Sequence, residues 1–166
     1  MRAIIYIFCT FLVSLSLMST AQVKISVDYS RADSLRGSLT STYRTCYDIN
    51  YYHLKVKVNP DEKFISGSNL FKFTATNNFT KLQFDLFSNL KIEKVVHHGK
   101  VVKFKREFNA VFLSFDKEIK KGQQDSFTVY YSGNPIVAKK APWDGGFVFS
   151  QTDKGKDWIA TATQGI

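Results

Sequence analysis

From Tyr47 onward, apolar and polar residues alternate along the chain with a period of two. In Tyr52–Val58, the residues Tyr52, Leu54, Val56 and Val58 share one side, and His53, Lys55 and Lys57 share the other. That pattern predicts a strand with one buried face. Asn59-Pro60-Asp61-Glu62-Lys63 supplies a turn. Phe64–Ala75 resumes the alternation with Ile65, Gly67, Asn69, Phe71, Phe73 and Ala75 in phase, and Gly67 is expected to mark a bulge. After Asn77-Asn78, a short strand carries Leu82, Phe84 and Leu86 against Gln83 and Asp85. Further strands are predicted at Leu90–Val96, Val101–Lys105, Ala110–Phe115 and Ser126–Tyr131. His97-His98-Gly99-Lys100 and Lys120-Lys121-Gly122-Gln123 turn the chain, and Ser132-Gly133-Asn134-Pro135 breaks it.

The closing stretch reads as a hairpin. Its arms are Gly146–Ser150 and Trp158–Thr163, and the polar loop Gln151–Asp157 between them holds one glycine. No segment carries a period of 3.6, although Asp33-Ser34-Leu35-Arg36 could form a single helical turn. About eight or nine short strands at this spacing predict an all-β fold, an antiparallel two-sheet sandwich or saddle. The 15 Phe and 8 Tyr provide ample aromatic area for such a core.

The first 21 residues stand apart. A short basic start, Met1-Arg2, precedes the largely apolar Ala3–Met18, and Ser19-Thr20-Ala21 offers small residues for cleavage. This is the layout of a secretory signal peptide and too short for a membrane span. The protein is therefore expected to be exported, to the periplasm or the medium. Residues 22–42 read as an irregular lead-in on the domain surface, and 43–166 as one β domain. With Cys9 in the signal segment, Cys46 is the single remaining cysteine, which excludes an intrachain disulfide and a thiolate metal cluster. The net charge of +9 comes from lysines scattered over alternate strand positions. That is the look of a solvated sheet face rather than a nucleic-acid patch; adhesion to an anionic surface stays open.

Chemistry-bearing motifs are sparse. The three histidines, His53, His97 and His98, lack the helical spacing of a zinc motif. His97 and His98 are adjacent in a turn and are expected to project differently, so all three are read as structural. There is no Gly-x-Ser-x-Gly elbow, no Cys–His pairing and no phosphate loop. Asp144 with Asp153 or Asp157 is a conceivable carboxylate pair without sequence support. Asp144-Gly145-Gly146 reads as a turn whose glycines take positive φ. Asn78-Phe79-Thr80 fits a glycosylation sequon.

Several stretches nevertheless resemble the N-terminal domain of the aminopeptidase N-like zinc metallopeptidases, peptidase family M1, in their exported bacterial form. They are Asp33-Ser34-Leu35-Arg36-Gly37, Cys46–Leu54, Ile65-Ser66-Gly67, Gln83–Leu86, Tyr130–Pro135 and the two closing arms, Ala141–Ser150 and Trp158–Ile166. The likeness runs from about Leu35 to Ile166. It implies a saddle of antiparallel sheets that caps a thermolysin-like catalytic domain. In the family that second domain carries a Gly-x-Met-Glu-Asn motif and a His-Glu-x-x-His helix, and its zinc activates water for peptide hydrolysis. Neither motif occurs in these 166 residues. The expectation is no zinc site, no other cofactor and no catalytic residue in this chain itself.

The resemblance implies one functional position. In relatives, the last strand of this domain enters the active-site cleft, where a Gln or Glu holds the substrate's free α-amino group. That position matches Gln164, and Gly165 would let the backbone pass close to the peptide. Ala162 stands where relatives often carry a second Gln. The leading expectation is thus a substrate-gating and docking domain truncated before its catalytic partner, whose partners are that domain and a peptide N-terminus, with no nucleic acid. The alternative is a free-standing β-sandwich module binding a protein, peptide or anionic surface. The apolar surface that separates the two is sought at Trp143, Phe147 and Trp158. An enzyme in its own right is the weakest of the three readings.

Overall fold

The computed structural model describes residues 29–36 and 41–163. The signal segment, Gln164 and Gly165 lie outside them. Among the described residues, two single-turn helices, α1 (Arg31–Leu35) and α2 (Thr42–Thr45), precede ten strands. These are β1 (Tyr47–Asn59), β2 (Phe64–Ala75), β3 (Phe79–Asp85), β4 (Leu90–His97), β5 (Lys100–Val101), β6 (Phe104–Glu107), β7 (Ala110–Ile119), β8 (Gln124–Gly133), β9 (Gly146–Gln151) and β10 (Asp157–Ala162). The all-β antiparallel reading is borne out. Among the described residues, no helix is long and apolar enough to cross a membrane.

The strands form three antiparallel sheets. The first is ordered β1-β2-β8-β4-β5, the second β3-β7-β6, and the third is the hairpin β10-β9. The first two pack face to face over an aromatic core. Phe71 stacks on Phe127 at 4.7 Å between ring centroids, and both meet Phe84 of the second sheet at 5.5 and 5.6 Å. Val95, Val129, Leu82, Val111 and Leu113 complete it. Large aromatics bring enough apolar area for a domain this small to hold together without disulfides.

Two departures from the sequence pattern have local causes. Val101–Lys105, predicted as one strand, divides into β5 and β6, which pair with β4 and β7 in different sheets. Gln83, predicted on the solvent side, is buried because α1 covers that face. Its Nε2 donates to the Leu35 carbonyl at 3.0 Å, while Leu35 packs with Ala110 and Phe112. The lead-in segment is thereby tied to the second sheet, and Arg31 pairs with Glu107 at 2.8 Å. A capping box between Ser30 and Asp33 starts α1.

Candidate functional site

The alternation of Tyr52–Val58 is present, but the apolar face it marks is not buried. Leu54 is 60% and Val56 42% exposed, and Tyr52 is exposed as well. The reason lies in the register. Tyr52 pairs with Phe71 and packs on it at 5.0 Å, at the margin of the core. Beyond it, Leu54 faces Asn69 and Val56 faces Gly67, which give no apolar bulk, and Leu54 and Val56 do not join the core cluster. β1 also closes the first sheet, so among the described residues the outer backbone edge of a 13-residue strand is open. An apolar strip beside a long open edge is a pairing hazard unless something covers it.

Gly67 does not mark a bulge. The β1–β2 register runs unbroken there and shifts instead between Ile49 and Tyr51. What Gly67 permits is close approach: a Cβ would stand 1.9 Å from the Lys55 carbonyl oxygen.

The β9–β10 hairpin forms from the predicted arms, and pairs Trp158 with Ser150 and Ala162 with Gly146. The loop before it folds around Asp144, whose carboxylate accepts from the Lys139 and Lys140 amides. That contact gives Asp144 a structural role in the loop. At Gly146 φ is 146°, and a Cβ would meet the Ile136 carbonyl oxygen at 2.6 Å. Trp143 (81% exposed), Trp158 and Ile159 stand in solvent, while Phe147 is half-buried and stacked on Phe149. Of the three residues named for an apolar surface, Trp143 and Trp158 are exposed and Phe147 is half-buried.

A cluster that sequence reasoning missed lies at the other end of the core. His97 and His98 do not project apart. Their rings stack at 4.0 Å, and both Nε2 atoms meet the Asp125 carboxylate, at 3.0 and 2.8 Å. The turn explains this. Positive φ at His98 (47°) and Gly99 (77°) makes the two-residue β4–β5 connection a type I′ turn. Asp125 projects from the start of β8, and its side chain is 2% exposed. Burial pushes its carboxyl upward. Hydrogen bonds from His97 and the Ser126 amide, and the charge of both imidazoles, outweigh that effect and hold it below the usual carboxylate value. His53 is distant in register, exposed on β1 and beside Tyr51.

The remaining candidates are structural. Burial raises the Cys46 thiol to about 11, and its Sγ faces the Tyr43 carbonyl oxygen. The Tyr47 hydroxyl donates to the Gln83 carbonyl at 2.6 Å. Asn78 is exposed, and its Oδ1 accepts from the Lys121 amide at 2.9 Å.

Compared with protein-family models and with curated proteins, the chain finds no significant match. Solved structures do match. A two-domain M1 zinc metallopeptidase point mutant bound to L-tryptophan aligns over 68% of this chain with a TM-score of 0.53 and 16% identity. A mutant M1 zinc metallopeptidase from Deinococcus radiodurans aligns over 64% at 0.52 and 18% identity. A further M1 structure from the same organism aligns over 56% at 0.50 and 19% identity. The resemblance to this family is thus borne out at the level of the fold. This chain spans between 21% and 28% of the length of those structures.

Proposed function

We propose that this chain is the N-terminal β domain of an exported M1-type zinc aminopeptidase, and that it docks on a catalytic domain, in cis or in trans, and gates access to its cleft. The uncovered apolar strip of β1 carries the reading. Leu54 and Val56 are apolar, in phase with the core face, and left without cover by the second sheet. Trp143 and Trp158 are exposed as well, Trp158 on the hairpin that leads toward Gln164. The likeness in fold to a minor part of M1 zinc metallopeptidase structures supports the same reading.

Gln164 has a defined task in this arrangement. Its amide oxygen accepts a hydrogen bond from the ammonium group of a peptide N-terminus, and a carboxylate of the catalytic domain supplies the opposing charge. Gly165, lacking a side chain, lets the backbone run close to the substrate. Zinc, held by the catalytic domain, supplies Lewis-acid activation of water and of the peptide carbonyl. This chain contributes orientation rather than chemistry, so losing Gln164 should weaken substrate binding more than turnover.

The test is to read the coding DNA beyond the Ile166 codon in all frames, then express the locus whole and assay release of nitroaniline from aminoacyl p-nitroanilides. A frame with Gly-x-Met-Glu-Asn and His-Glu-x-x-His is expected, together with chelator-sensitive activity whose KM rises in Gln164→Ala. An unrelated neighbouring gene and no aminopeptidase activity would overturn the proposal and leave a free-standing β module.

A further inference from the structure

We propose that His97, His98 and Asp125 form a binding site for a late first-row divalent cation, with Zn2+ the best match. The site staples the β4–β5 turn to the start of β8. It is independent of any catalytic domain, since all three ligands belong to this chain.

The geometry is that of a ligand set. The three candidate donor atoms lie within 4.8 Å of one another. Each Asp125 oxygen faces one imidazole Nε2, at 3.0 Å for His97 and 2.8 Å for His98. Neighbouring ligands on a tetrahedral or octahedral zinc stand about 3 Å apart, given metal–ligand bonds of ~2.0–2.2 Å. Small rotations of the two rings and the carboxylate would therefore admit the ion between them. Two imidazoles and one carboxylate suit zinc, cobalt, nickel or copper; magnesium and calcium prefer sites made wholly of oxygen.

Two imidazole nitrogens converge on one nearly buried carboxylate. Asp125 is already served by His97 and by the Ser126 amide, at 2.6 Å. A second imidazole reaches the same carboxylate because His98 adopts the left-handed backbone of the type I′ turn, a conformation in which His is among the enriched residues with a Cβ. Type I′ turns ordinarily take Asn, Asp or Gly there. Phe115 packs edge-on against His97 at 4.8 Å and fixes its ring, as a metal ligand's neighbours often do. His98 is 67% exposed on its side chain, so water can complete the coordination sphere and the ion has an entry path. On binding, each imidazole releases to solvent the proton its Nε2 carries toward Asp125 and turns that lone pair to the metal.

The experiment is isothermal titration of the full chain, freed of metal by chelator, with Zn2+ alone, and in parallel with Mg2+ alone. One saturable equivalent of Zn2+ is expected, with a higher melting temperature and no response to Mg2+. His98→Ala should weaken binding by about 10–100-fold or more, since loss of outer-shell partners alone costs about that much in metal affinity. Because His98 is exposed, that variant keeps its fold by circular dichroism. His53→Ala should bind as the parent does. Co2+ should give a visible absorption band that His98→Ala shifts or abolishes. Absence of saturable Zn2+ binding, or binding that survives both His98→Ala and Asp125→Asn unchanged, overturns the proposal.

Discussion

Gly67→Ala is expected to be among the most damaging single-methyl additions in this protein. Its Cβ would lie 1.9 Å from the Lys55 carbonyl oxygen and 3.2 Å from the Val56 Cα. Both are backbone atoms of the neighbouring strand, so no rotamer change relieves the clash. Ordinary contact begins near 3.4 Å, so β1 and β2 must part locally by about 1.5 Å. Overpacking of this kind costs about 1–3 kcal/mol. Weakening one or two ladder hydrogen bonds adds about 0.5–1.5 kcal/mol each. The sum is roughly 1.5–6 kcal/mol, or a fall in melting temperature of about 6–24 °C at about 4 °C per kcal/mol for a domain of this size. Thermal unfolding followed by circular dichroism measures it, with Ser68→Ala as the neighbouring control. A Gly67→Ala melting temperature within about 2 °C of the parent refutes the close-approach explanation and restores a bulge or a flexible strand at this point.

Two further tests concern Arg106 and Cys46. Arg106 donates to the carbonyls of Leu86, Phe87, Leu90 and Phe108, clamping the β3–β4 connection. Arg106→Met should cost about 1.5–3 kcal/mol, the range for hydrogen bonds to a charged group. It should also speed amide exchange across residues 86–90, and Arg106→Lys should recover little because a point charge cannot span the fork. Burial lifts Cys46 to about 11. At pH 8 its thiolate is then on the order of 100-fold scarcer than that of an ordinary thiol. Alkylation by iodoacetamide should be slow in the native chain, fast in urea, and accelerate as pH rises toward 11; native labelling at the unfolded rate would contradict the buried assignment.

Most of the architecture was legible in the residues, because strand alternation and turn chemistry are local. The β1–β2 and β9–β10 hairpins appear where Asn59–Lys63 and Gln151–Asp157 placed them. What alternation cannot carry is the identity of the covering element. Tyr52, Leu54 and Val56 are correctly apolar and in phase, yet whether such a face is buried depends on a second layer whose extent the strand does not encode. The same limit hid the burial of Gln83 under α1 and the division of Val101–Lys105 between two sheets. α2 escaped notice because one turn is too short to express a period of 3.6. The His97–His98–Asp125 cluster joins residues 27 and 28 positions apart. Its one local trace is a His-Gly pair in a two-residue turn, where positive φ folds the second ring back upon the first.

The interface role of β1 can be tested most directly by substituting its uncovered strip. Sedimentation velocity and anilinonaphthalene sulfonate binding should be measured for the full chain and for Leu54→Asp/Val56→Asp. If the strip is a docking surface, the parent binds dye and self-associates as concentration rises. The double variant then loses both properties while its melting temperature changes little, because neither side chain is part of the core. A parent that stays monomeric without binding dye, or a double variant that unfolds, would show that the strip is not an interface awaiting a partner.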